Sequence, residues 1–117
     1  MDVNQIVSYA ALAFVGWRIS KMVLGKTSPE RAKQLVRDGA LLLDVRSPAE
    51  FAGGHLDGAT NIPVQALGSR LAELGEHTRP VVLYCASGVR SASATGTLRR
   101  AGFTQVFDLG AMARWGR

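Results

Sequence analysis

Apolar and polar residues are distributed in two different ways along this chain. From Ile6 to Trp17 it reads IVSYAALAFVGW, with Ser8 as the only polar interruption. Wound as a helix at about 100° per residue, this stretch puts Leu12, Val15 and Ile19 on one side and Ile6, Ala13 and Trp17 roughly opposite. A helix that is apolar all round is buried, either in protein or in lipid.

After Gly25 the pattern changes to short periodic segments separated by turn residues. Thr27-Ser28-Pro29-Glu30 is a helix start, with Ser28 as N-cap and Pro29 at the first helical position. Ala32, Leu35 and Val36 supply its apolar face and Gly39 ends it. Leu41 to Val45 is a continuous apolar run carrying Asp44 and predicts a buried strand. Ser47-Pro48-Ala49-Glu50 starts a second, short helix reaching about Ala52, with a Ser47–Glu50 capping box. A turn-rich loop, Gly53 to Gly58, leads to a small strand at Thr60 to Ile62. A helix is expected from Ala66 to Leu74, stopping near Gly75. Pro80 to Tyr84 predicts the second clear buried strand, ending at Cys85. Ser91 to Ala101 reads as a helix ended by Gly102, and Thr104 to Phe107 as a last strand. Helices alternating with continuous apolar strands predict an α/β domain with a mainly parallel sheet. Residues 1–26 then form an apolar helix preceding a single α/β domain over residues 27–117.

The length of 117 residues allows one domain of ordinary size, and 47% hydrophobic against 20% charged residues is enough apolar material for a core. The single cysteine excludes an internal disulfide and any zinc site built on a cysteine pair. With only two histidines, His55 and His77, no metal site is expected.

Charge sharpens the reading of the N-terminal segment. Asp2 is the only charged side chain before the apolar run, whereas Arg18, Lys21, Lys26, Arg31, Lys33 and Arg37 follow it. A cleaved signal peptide would carry Lys or Arg ahead of the run, and MDVNQ has neither. Residues 3–24 reach the roughly 20 positions needed to span hydrocarbon, provided Arg18 and Lys21 snorkel and Tyr9 and Trp17 anchor at the interface. The expectation is a single-pass lipid anchor, and the Lys/Arg asymmetry puts the following domain in the cytoplasm. The alternative is a helix packed on its own domain or on a partner subunit, in a soluble cytoplasmic protein. The formal net charge of +5 comes from scattered cations, including Arg99, Arg100, Arg114 and Arg117, with no aromatic-interleaved stripe, so nucleic acid is not an expected partner.

Chemistry concentrates at Cys85. In a parallel sheet, ligands sit beyond the carboxyl ends of the strands, which is where this thiol falls. Ala86, Ser87, Gly88 and Val89 are small or turn-compatible, and Arg90 and Ser91 lead into the next helix. Such a loop aims backbone N–H groups at one point, and the helix dipole and Arg90 add positive potential. A thiol in that field ionises more easily, and the thiolate is the reactive form. Gly88 supplies the left-handed conformation such a turn needs. A lone cysteine ending a buried strand is often only a small core hydrophobe; the small-residue loop, Arg90 and the helix start together distinguish this one.

Three blocks now make the domain resemble a single-domain rhodanese, a sulfurtransferase that carries sulfur as a cysteine persulfide. They are LLLDVRSPAEFAGGHLDGATNIP (Leu41 to Pro63), VVLYCASGVRSASATGTLRRAGF (Val81 to Phe103) and VFDLGAMARW (Val106 to Trp115). Gly110-Ala111 departs from the two glycines frequent in the family, and a small adjustment of the sheet-to-helix turn is expected there. The resemblance implies a three-layer fold, a mainly parallel sheet with helices on both faces. It also implies Cys85 as nucleophile, Ala86 to Ser91 as the loop that binds the persulfide, and no cofactor. The implied partners are a small anionic sulfur donor such as thiosulfate and a thiol or cyanide acceptor. Arg90 either attracts that donor or pairs with a carboxylate.

Two other classes share these features. A rhodanese-like binding module would recruit a partner without turnover. Cysteine-dependent phosphatases and arsenate reductases share the architecture but have a loop one residue longer, whereas Cys85 and Arg90 enclose only four positions. Of the remaining candidates, Asp44 is expected to support the active-site loop by hydrogen bonding. Arg46 and Glu50 are spaced as a local ion pair, His55 suits packing or a turn hydrogen bond, and His77 suits an exposed loop.

Overall fold

The computed structural model describes residues 25–116, and the apolar stretch at residues 3–24 lies outside them. The chain runs α1 (Pro29–Arg37), β1 (Leu41–Asp44), α2 (Pro48–Ala52), β2 (Thr60–Asn61) and α3 (Val64–Leu67). A 3-10 turn (Leu71–Leu74), β3 (Val81–Cys85), α4 (Val89–Arg100), β4 (Val106–Ala111) and a last 3-10 turn (Met112–Trp115) complete it. The strands form one sheet in the order β2-β1-β3-β4, with every pairing parallel. After β1 the chain turns outward to β2 and then crosses back to lay β3 on the other side of β1. That reversal opens a crevice between the carboxyl ends of β1 and β3, the usual place for a ligand in an open α/β sheet.

Strand alternation sends side chains to two separate cores. One face buries Leu43, Val45, Val81, Leu83 and Cys85 against Leu67, Leu74, Ala94 and Leu98 from α3, the first 3-10 turn and α4. The other buries Leu42, Val82, Tyr84 and Leu109 against Ala32 and Leu35 of α1, with Met112 and Trp115 at its margin. The result is three layers, helices on both faces of a parallel sheet: the parallel α/β sheet is what the sequence pattern predicts, and the three layers are what the family resemblance implies.

The helix starts follow their sequence signals. Ser28 Oγ accepts from Arg31 N at 3.1 Å, and Ser47 and Glu50 close a reciprocal capping box. Several boundaries differ from expectation. The helix expected over Ala66 to Leu74 is split, because the chain turns at Gly68-Ser69-Arg70, where Ser69 Oγ ties back to Ala66 O at 2.9 Å. Helix α4 begins earlier, at Val89. Strand β4 ends four residues beyond Phe107, at Ala111. Its pairing with β3 slips by one residue between Leu83↔Asp108 and Tyr84↔Gly110, and Gly110, at φ +90°, permits that bulge.

Candidate active site

Every residue of β3 is buried, and the strand delivers Cys85 at its carboxyl end with no exposed surface. The chain then reverses through Ala86 and Ser87, which are exposed, to Gly88, which is buried. Gly88 adopts φ +101° and ψ −9° and is the N-cap of α4, as its sequence position requires. This turn brings Gly88 N to 3.0 Å and Ser91 N to 3.3 Å from Cys85 Sγ, so both N–H groups donate to the sulfur. The Gly88 carbonyl is held in turn by Ala92 N at 3.2 Å and Ser91 Oγ at 3.2 Å. Burial pushes the Cys85 thiol up, but hydrogen bonds from the Ser91 backbone and hydroxyl, Gly88 and Ser87 outweigh it and hold the thiol below its ordinary value.

Val89 stands 75% exposed beside this loop. Arg90 is half-exposed and makes a bidentate pair with Glu50, NH1 to Oε1 at 2.7 Å and NH2 to Oε2 at 2.9 Å. Glu50 also accepts from Ser47 N, so one carboxylate both caps α2 and fixes the start of α4. Its pKa is lowered to about 2, first by Arg90 and then by the Ser47 N–H.

Two expectations about the supporting residues are corrected. Arg46 pairs with Asp44 (2.7 Å, NH2 to Oδ2) rather than with Glu50, and donates also to Gly54 O at 2.7 Å. Asp44, fully buried, receives the Arg46 backbone N–H at 2.8 Å and spends its carboxylate on Arg46, not on the Cys85 loop. The reason is strand parity: Asp44 packs on the face of Leu42 and Tyr84, whereas Cys85 belongs to the opposite core. Asp44 and Arg46 therefore organise the end of β1. The Arg46 guanidinium lies 5.7 Å over the Tyr84 ring, and Asn61 Nδ2 donates to both Asp44 O and Arg46 O. Tyr84, its phenol pushed up to about 12 by burial, accepts from Leu56 N at 3.1 Å. His55 stacks on Phe51 with centroids 3.7 Å apart and hydrogen-bonds Phe51 O, and His77 is exposed.

One residue at this site has no sequence signal. Lys26 Nζ sits 2.7 Å from Asp108 Oδ2 and 3.3 Å from Gly88 O. It is one cation in a basic stretch, and its carboxylate partner lies 82 residues further along the chain.

The family model for the rhodanese-like domain matches residues 28–117. The chain is 40% identical over 118 aligned positions to "Uncharacterized protein YqhL" of Bacillus subtilis, covering 97% of this chain and 93% of that protein. It is 33% identical to "Thiosulfate sulfurtransferase GlpE" of Pseudomonas aeruginosa, over 72% of this chain and 76% of that one. Among solved structures, it superposes on the human single-domain sulfurtransferase TSTD1 with a TM-score of 0.71 at 32% identity, covering 77% and 93% of the two chains.

Proposed function

The chain belongs to the rhodanese-like domain family, and we propose that it is a sulfurtransferase working through a persulfide on Cys85. The observation that carries this reading is the pair of N–H groups, Gly88 and Ser91, donating to Cys85 Sγ at the end of a buried strand. That arrangement favours the thiolate, and a thiolate is the form that attacks sulfur.

Two displacements follow. Cys85 thiolate attacks the outer sulfur of thiosulfate; the sulfur–sulfur bond of the donor breaks and sulfite leaves with its electron pair. The product is a Cys85 persulfide, whose terminal sulfur carries the negative charge. Backbone N–H groups of the loop Ala86 to Ser91 are positioned by α4 to hold that charge, with no reorganisation at the moment of transfer. An acceptor then attacks the terminal sulfur. With cyanide the products are thiocyanate and the regenerated thiolate; with a thiol, the sulfur leaves as the acceptor's persulfide. No proton transfer is needed at the sulfur undergoing attack, which suits a site where Asp44 is closed into an ion pair. Glu50 neutralises Arg90, so Arg90 acts here as a brace for the loop more than as a free anion receptor. We also place residues 3–24 in a lipid bilayer as the tether of this domain, on the strength of their apolar run and the cations that follow it.

Intact-protein mass spectrometry tests the chemistry directly. Incubation with thiosulfate is expected to add one sulfur atom, cyanide to remove it, and Cys85→Ser to abolish the gain. A folded protein with a reduced thiol that takes up no sulfur from thiosulfate would remove this donor. A non-catalytic binding module would in addition keep its cellular phenotype in Cys85→Ser.

A further inference from the structure

Asp108 lies in the middle of β4 with its carboxylate almost completely buried, 7% exposed. A buried carboxylate must be paired, and Lys26 Nζ, 2.7 Å from Oδ2, is the only cation paired with it among the described residues. The other oxygen, Oδ1, is buried with no hydrogen-bond partner there, which leaves Asp108 dependent on Lys26. The lysine is therefore drawn in over the end of the sheet. Two neighbouring bonds fix its path: Thr27 N donates to Asp108 O at 2.7 Å, and Arg114 NH1 donates to Thr27 O at 3.2 Å. Gly110 leaves room for it, since a Cβ at that position would come within 3.3 Å of Lys26 Cδ.

Once there, the ammonium has a second acceptor in reach, Gly88 O at 3.3 Å. Gly88 is the hinge of the Cys85 loop. Its own N–H donates to Cys85 Sγ, and its φ of +101° sets how the loop curls back over the sulfur. Gly88 also lies against β4, where a Cβ would contact Ala111 N and Gly110 Cα at 3.6 Å. We infer that Lys26, held by Asp108, is a positioning residue for the Cys85 loop: it adds a third donor to the Gly88 carbonyl, beside Ala92 N and Ser91 Oγ, and so helps keep the Gly88 and Ser91 N–H groups trained on the sulfur.

This rests on reading Cys85 as the reactive thiol, but it is tested without any sulfur transfer. The other charged or titratable groups around the loop are Arg90 with Glu50 on α4 and α2, Asp44 with Arg46 at the end of β1, and Tyr84 on β3. None of them is altered in the variants used. The experiment is the pH profile of Cys85 alkylation by iodoacetamide in the full-length chain, read by intact mass. The midpoint of that profile reports the thiol's ionisation, whereas the plateau at high pH reports access.

Lys26→Met is expected to move the midpoint up by about half a pH unit or more, a roughly threefold loss of thiolate below the midpoint. Lys26→Arg is expected to restore most of it. Asp108→Asn should raise the midpoint as Lys26→Met does, and the double variant should add nothing to either single change. An unmoved midpoint in Lys26→Met, with a lowered melting temperature, would make Lys26 merely structural and overturn the inference. A midpoint that rises in Lys26→Met but falls in Asp108→Asn would make Lys26 a bare charge, which overturns it equally. If Asp108→Asn does not fold, Lys26→Met and Lys26→Arg still decide. A chain that takes no sulfur from thiosulfate yet shows the shifted midpoint would remove thiosulfate as the donor and leave the role of Lys26 standing.

Discussion

At the scale of single residues, the site is governed by which carboxylate closes on which cation. Arg46 is spent on Asp44, Arg90 on Glu50 and Lys26 on Asp108. With these cations neutralised, the groups that donate to the Cys85 sulfur are the backbone N–H groups of Gly88 and Ser91. Glu50→Gln should loosen this balance by leaving Arg90 unneutralised beside the loop. KM for thiosulfate is then expected to fall by about threefold with little change in kcat, read by steady-state kinetics at low salt and abolished at high salt. The same pair has a defined pH signature. Glu50 is held at about 2, below its unfolded value of 4.5, so its contribution to stability is complete above 4.5 and disappears as pH falls towards 2. Melting temperatures of wild type and Glu50→Gln should therefore differ at pH 6 and converge in that acid window.

At the scale of elements, the decisive piece is the turn from β3 into α4. Its meaning was legible because the local chemistry is concentrated in a few consecutive residues: a buried strand, a thiol, small residues and a glycine. The capping box of α2 and the N-cap of α1 are legible for the same reason, since both lie within three residues of their partners. The carboxyl part of β4 beyond Phe107 is not, because Asp108-Leu109-Gly110 has the composition of a turn. Only pairing with β3 across a bulge keeps it extended. The partner of Asp44 was misread because a strand's alternation must be counted against its neighbour before faces can be assigned. Gly88→Ala tests the turn itself. An alanine there meets only ordinary contacts at 3.6 Å, but φ +101° strains it by about 1 to 2 kcal/mol. The expected outcome is a modest fall in denaturation midpoint. Persulfide formation should fall further, by about tenfold, as the N–H groups lose their aim on Cys85.

At the scale of the whole molecule, the sequence divides into an apolar stretch and a rhodanese-like domain, and Lys26 lies at their junction. No helix among the described residues is long and apolar enough to cross a membrane, and the span proposed for residues 3–24 lies outside those residues. That stretch is apolar on all sides, so outside lipid it needs a protein surface to cover it. Fractionation of the full-length chain distinguishes the two environments. A bilayer span predicts recovery with the membranes after carbonate or high-salt washing, release by detergent alone, and protection of the domain from protease added outside intact cells. Recovery as a monodisperse soluble species without detergent would instead assign residues 3–24 to a protein interface.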